Sequence, residues 1–111
     1  MSHKGAVDLM KTYEIGWAQV IDGKWHEAIE LEKEAMAYFE AKGWHAGKRL
    51  QPLVDSKTNH MIWIFEFDSQ ADYEKWYEPI HADAGVKEFI TRMESVYVRE
   101  GWSFFAYKEV L

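Results

Sequence analysis

His60-Met61-Ile62-Trp63-Ile64-Phe65-Glu66-Phe67 is the stretch on which the fold turns. Its β-branched and aromatic side chains read as a strand, and apart from His60 and Glu66 both alternating faces are apolar. A strand with two apolar faces belongs in a sheet covered on both sides. Ser56 to Asn59 before it is a polar turn. After it, Asp68-Ser69-Gln70-Ala71-Asp72 opens a helix, with Ser69 and Asp72 in a capping arrangement.

Toward the N-terminus, Ala46 to Asp55 reads as a weaker strand. Its Pro52 has no N–H for a ladder and so implies an edge position or a bulge. From Lys24 to Lys42 the period changes: Trp25, Ala28, Ile29, Glu32, Ala35, Met36 and Phe39 recur at helical spacing, mostly with Glu and Lys between them. Gly43 stands where a left-handed C-cap closes this helix. Glu27, Glu30, Glu32 and Glu34 lie toward its start and Lys42 at its end, as the helix dipole favours. The charge run His26-Glu27, Glu30, Glu32-Lys33-Glu34 is expected to form its solvated outer face. Thr12 to Ile21 alternates as a strand, with Tyr13, Ile15, Trp17, Gln19 and Ile21 on one face and Glu14, Gly16, Ala18 and Val20 on the other. The turn pair Asp22-Gly23 ends it.

Toward the C-terminus, the second helix carries Tyr73, Trp76, Tyr77 and Ile80, and Pro79 and Gly85 predict a kink or short loop around Ile80 to Gly85. Helical spacing resumes at Val86, Phe89, Ile90, Met93, Val96 and Tyr97. Arg99 to Gly101 is a turn, and Trp102 to Val110 a last strand. The order is β-α-β-β-α-β, an α+β, ferredoxin-like unit: a four-stranded antiparallel sheet with two helices on one face. The second face is also apolar and aromatic, so its exposure would be costly. A second copy packed sheet to sheet, a homodimer, is the simplest cover.

The 111 residues make one domain, residues 10–111, preceded by a polar segment, residues 1–9, expected to be partly mobile. Hydrophobic residues make up 48% and charged ones 29%, an ordinary globular balance; 16% aromatics supply enough buried area for a core in so short a chain. A net charge of −6 argues against nucleic-acid or anionic-lipid partners. With no cysteine, disulfides, thiolate metal sites and thiol nucleophiles are excluded. No apolar run is long enough for a membrane helix and no apolar signal region opens the chain, which points to a cytoplasmic domain. There is no internal repeat, phosphate loop, dinucleotide fingerprint or nucleophile elbow.

The run from Asn59 to Asp72, with the β-α-β-β-α-β order and the two-sided third strand, resembles the dimeric α+β barrel superfamily. Its strand-to-helix junction, Glu66-Phe67-Asp68-Ser69-Gln70-Ala71-Asp72, is most similar to NIPSNAP-like and antibiotic biosynthesis monooxygenase-like domains. The resemblance implies one of several roles: cofactor-free oxygenation of aromatic polyketides, haem degradation, or small-ligand binding. The haem-degrading branch builds its site from an Asn on the first strand, a helical Trp and a His about ten residues later. Trp76 matches that Trp, but Gly16 and Val86 stand at the Asn and His positions, so the resemblance does not favour haem degradation, with His81 close to the missing His keeping it as an alternative; no cofactor is expected.

His81 follows Trp76, Tyr77 and Pro79 in the irregular part of the second helix, a region that rims the pocket in this superfamily. A histidine there suits a general base, the side-chain type whose unperturbed pKa lies near neutral; its alternative role is to cap or bond backbone freed by Pro79. Glu66, if buried in its apolar strand, would have a raised pKa and serve as a proton acceptor; if solvated, it would pair with a base such as Lys48 or Arg49. Trp17, Trp63, Trp76 and Tyr77, with Phe65, Trp102 and Phe105, either line a pocket for a flat apolar ligand or simply pack the core. The five histidines lack metal-ligand spacing, and no metal is expected. Two classes therefore stand: a cofactor-independent oxygenase or related enzyme acting on an aromatic small molecule, and a non-catalytic ligand-binding or structural dimer.

Overall fold

The computed structural model describes residues 10–54 and 57–111; the segment 1–9, and the expectation that it is partly mobile, lie outside the described residues, as do positions 55 and 56. β1 (Thr12–Gln19) pairs antiparallel with β3 (His60–Phe67) on one side and β4 (Ser103–Lys108) on the other, and β3 pairs with the short β2 (Lys48–Leu50). The four-stranded order is β2-β3-β1-β4. β3 is thus interior, as its apolar pattern requires, and β2 and β4 are the edges. β2 is shorter than the expected 46–55 strand: Gly47, at φ 69, turns the chain just before it, and Pro52, which has no N–H, lies just after it.

Among the described residues three helices cover one face: α1 (Trp25–Ala41), α2 (Gln70–Ala82) and α3 (Ala84–Met93). α1 ends as expected, with Gly43 at φ 75 and the Trp44 N–H donating to the Phe39 carbonyl. The Ser69 hydroxyl accepts from the Asp72 N–H and caps α2. The interruption expected around Ile80 to Gly85 falls at Asp83 and separates two helices. Pro79 stays inside α2. The Asp83 carboxylate accepts from the Val86 N–H at 3.0 Å and from the Tyr38 hydroxyl at 2.7 Å, so it both starts α3 and ties the corner to α1. Restarting a helix is cheapest where a side chain satisfies its first N–H groups.

Register assigns the two faces. Thr12, Glu14, Gly16 and Ala18 of β1 point to the helices beside Met61, Trp63, Phe65 and Phe67 of β3, all of them buried. Tyr13, Ile15 and Trp17, with Ile62, Ile64, Phe105 and Tyr107, form the opposite face, which no helix among the described residues covers; Trp17 is 43% and Phe105 61% exposed. The described residues include no helix long and apolar enough to cross a membrane.

One expectation for α1 is corrected. Glu32 does not lie on a solvated outer face but is 5% exposed, at the apolar helical spacing it shares with Ala28, Ala35 and Phe39. Its carboxylate accepts from Arg49 Nε at 2.7 Å, Trp63 Nε1 at 2.9 Å and Tyr97 Oη at 2.6 Å. Burial and the facing carboxylate push the Tyr97 hydroxyl far above its ordinary pKa, so it remains a donor. Three donors make a buried carboxylate tolerable where a bare one would not be. Replacing Glu32 with Ala leaves Arg49 buried without its anion and is expected to cost about 3–5 kcal/mol, read by urea denaturation; a loss below about 1 kcal/mol would show that the pair behaves as a surface salt bridge.

Candidate functional site

Between the helix-facing side of the sheet and the three helices lies a cavity of about 340 Å³. Trp63 and Phe65 of β3 and Phe104 and Ala106 of β4 form its floor; Leu31 and Phe39 of α1, Trp76 and Ile80 of α2, and Phe89 and Met93 of α3 form its walls. Gly16 makes part of this floor possible. A Cβ at that position would lie 2.3 Å from the Phe104 ring, which instead settles over the glycine and meets Trp63 at a 5.1 Å centroid distance. Trp76 is held in place by its indole N–H, which donates to the His45 carbonyl at 3.0 Å, and by Phe65 and Phe67 at 4.8 and 5.0 Å.

Polar groups enter this aromatic chamber at two places. At the first, Glu14 projects from β1 and is 8% exposed, and the Tyr73 hydroxyl of α2 donates to its Oε1 at 2.8 Å. His81, one helical turn beyond Tyr77 and tilted against its ring at 3.9 Å between centroids, lies within electrostatic range of the same carboxylate. Burial raises the Glu14 pKa; the Tyr73 hydrogen bond and the nearby His81 oppose that rise. Burial, then the bond to Glu14, raises the Tyr73 hydroxyl well above its ordinary value, so Tyr73 serves as a donor that orients Glu14. A carboxylate and an imidazole within electrostatic range of each other on an apolar cavity can take a proton from a bound carbon or oxygen acid. At the second place, Arg49 and Glu32 line the wall beside Trp63.

Solved structures share this arrangement of elements. A NIPSNAP family protein from Agrobacterium tumefaciens superposes with a TM-score of 0.68 at 16% identity, over 90% of this chain and 86% of that one. A candidate antibiotic biosynthesis monooxygenase from Nitrosomonas europaea gives a TM-score of 0.61 at 13% identity, over 90% of each chain. A mutant of SnoaB, a cofactor-independent oxygenase from Streptomyces nogalater, gives 0.62 at 10% identity, over 87% of this chain and 90% of that one. The fold is that of the NIPSNAP and antibiotic biosynthesis monooxygenase-like proteins. No family model matches the sequence, and neither does any curated protein. At these identities the likeness establishes the fold alone.

Of the residues singled out from sequence, Trp63, Trp76, Tyr77 and His81 come together on the cavity, with Phe65 and Trp102. Trp17 and Phe105 do not: they lie on the uncovered sheet face, Trp17 against His60 at 5.5 Å. Glu66 lies there too, exposed and paired with Lys11 at 3.2 Å rather than with Lys48 or Arg49. The burial that would have made it a proton acceptor is absent, because its place in the β3 alternation points it away from the helices. Two carboxylates are buried on the cavity: Glu32, saturated by its three donors, and Glu14, which sequence reading passed over. The signal for Glu14 was there, as the one ionisable residue among Gly16, Ala18 and Val20 on the face the helices cover. Among the described residues His81 forms no hydrogen bond to the backbone near Pro79; the Asp83 N–H bonds the Ile80 carbonyl instead.

Because the Glu14 pKa is raised on folding, its contribution to stability is present below the ordinary carboxylate range and lost as pH rises through the folded value. Glu14→Gln keeps the acceptor for Tyr73 and removes the charge. The variant is expected to melt above the parent at pH 7, with the difference closing as pH falls toward 4 in thermal scans; a lower melting temperature at pH 7 would contradict this.

Proposed function

We propose that this protein is a cofactor-independent oxygenase, or a closely related carbanion-forming enzyme, for a flat aromatic molecule with an acidic C–H. The carrying observation is Glu14, buried on an aromatic cavity, bonded by Tyr73 and coupled to His81. In this reading His81 takes the substrate proton, and the Glu14 carboxylate, oriented by Tyr73, steadies the imidazolium that forms. Trp63, Trp76 and Phe104 hold the ring system and keep water from the carbanion, which leaves its electrons available to O₂. For an activated methylene, two C–H bonds break and one C=O forms. The carbon gives up four electrons to O₂, one oxygen atom of which ends in the carbonyl and the other in water. The description of SnoaB as a cofactor-independent oxygenase supports this reading by analogy of fold.

The proposal includes a homodimer formed by the uncovered sheet faces. Ile15, Trp17, Ile62, Ile64, Phe105 and Tyr107 are a continuous apolar surface, of the kind a monomer rarely leaves in water.

Anthrone, whose methylene is acidified by its carbonyl, is the test compound. The parent is expected to accelerate O₂ uptake in an oxygen electrode, and His81→Ala to slow it about 100-fold without lowering the melting temperature, since His81 is exposed. Binding of anthrone with no acceleration of uptake would leave a ligand-binding protein in place of an enzyme. Separately, Phe105→Glu is expected to convert a dimer to a monomer in sedimentation velocity; a parent that sediments as a monomer would remove the sheet-to-sheet assembly.

A further inference from the structure

Arg49 is bound in an unusual way for a buried arginine. It meets Glu32 through Nε alone, at 2.7 Å, and Nη1 donates to the Ala46 carbonyl. Its guanidinium lies over the Phe65 ring, 5.7 Å from the centroid. A guanidinium carries five N–H donors, and Glu32 takes only the one on Nε, so the pair is not bidentate. Among the described residues no protein group accepts from the remaining N–H donors, although the side chain is only 12% exposed and lines the cavity. Glu32 in turn needs no more of Arg49, because Trp63 and Tyr97 supply its other hydrogen bonds. A buried ion pair is seldom more stabilising than an apolar pair of the same volume, so stability alone does not account for an arginine here.

We infer that Arg49 is a substrate-binding residue that donates to a carbonyl oxygen of the ligand and holds the negative charge that reaches that oxygen when the substrate is deprotonated. The inference rests on the proposed carbanion chemistry and identifies the substrate as a conjugated ketone. Position supports this role. Arg49 is in register with Trp63, which is in register with Gly16, two residues along β1 from Glu14. Two interstrand steps and two residues separate Arg49 from Glu14, roughly 12 Å between Cα atoms in a regular sheet. The Glu14–His81 pair, which handles the proton, and the guanidinium therefore approach the chamber from different sides, with Trp63 and Phe65 as the floor between them. A ketone whose acidic carbon faces Glu14 and His81 can present its oxygen to Arg49. Charge leaving the carbon through the conjugated system then meets a donor fixed in a low-dielectric wall. Because Glu32 already balances Arg49, a neutral carbonyl fits better than a permanent anion, which would leave the chamber with uncompensated negative charge beside Glu14.

Xanthone and xanthene test this without any reaction, since they share a tricyclic frame and differ in the carbonyl. Binding is followed by tryptophan fluorescence for the parent, Arg49→Lys and the double variant Arg49→Met/Glu32→Gln, which removes both buried charges together and keeps an acceptor for Tyr97. The parent is expected to bind xanthone about 10-fold or more tightly than xanthene, the size of a charge-assisted hydrogen bond. Arg49→Lys and the double variant are expected to lose that preference while binding xanthene as before. Equal binding of the two compounds by the parent, or a preference that survives in the folded double variant, would overturn the role of Arg49 and leave the cavity reading intact. Binding of neither compound by the parent would overturn both.

Discussion

The Glu32 carboxylate is the point where this structure is tied together. It stands on α1 and receives Arg49 from the edge strand β2, Trp63 from the interior strand β3 and Tyr97 from the segment between α3 and β4. Each donor comes from a different part of the chain, so no one of these segments can move without exposing a buried charge. The Val20–Tyr97 bridge adds a backbone link between the end of β1 and the same segment. Net hydrogen-bond energies are modest, but the cost of leaving such a group unpaired is large, and that asymmetry makes the register of α1 over the sheet unique. The cavity owes its shape to this anchor, since three of the four residues involved stand at or beside its wall.

Around that anchor the molecule separates two kinds of aromatic side chain that look alike in sequence. Trp63, Phe65 and Trp76 interlock under the helices and leave a chamber between them and α3. Trp17, Phe105 and Tyr107 are on the other side of the same sheet, facing outward. The strand period of two alone makes the difference. Only one set faces the space under the helices, and the other faces outward.

The two polar entries to the chamber differ in electrostatic character. The Glu14 carboxylate is under-solvated and held by a single neutral hydroxyl, so its proton affinity is raised. The Arg49–Glu32 pair is charge-balanced and saturated on the anion side, so it offers donors rather than proton exchange. In the proposed reaction, this places the Glu14–His81 pair that handles the proton and the guanidinium that donates hydrogen bonds on different sides of an apolar space.

Much of this was legible in the chain. The two-sided apolar run of β3, the period change over α1, the Ser69 cap and the left-handed Gly43 are local properties, and local physics determines them: alternation, helical spacing, a side-chain acceptor and a glycine at positive φ. They determined the element order and with it the fold. What tertiary structure decided was which of several similar side chains face the chamber. Glu14, Glu32 and Glu66 are all carboxylates in periodic segments. Burial of the first two and exposure of the third follow from which face of the sheet the helices cover and which donors long-range pairing delivers, at separations of 59 residues for Tyr73 to Glu14 and 65 for Tyr97 to Glu32. The break at Asp83 was likewise decided by a partner on another helix, Tyr38. A sequence states the period of each element, but the environment of a charge is set by residues far away along the chain, and only folding brings those together.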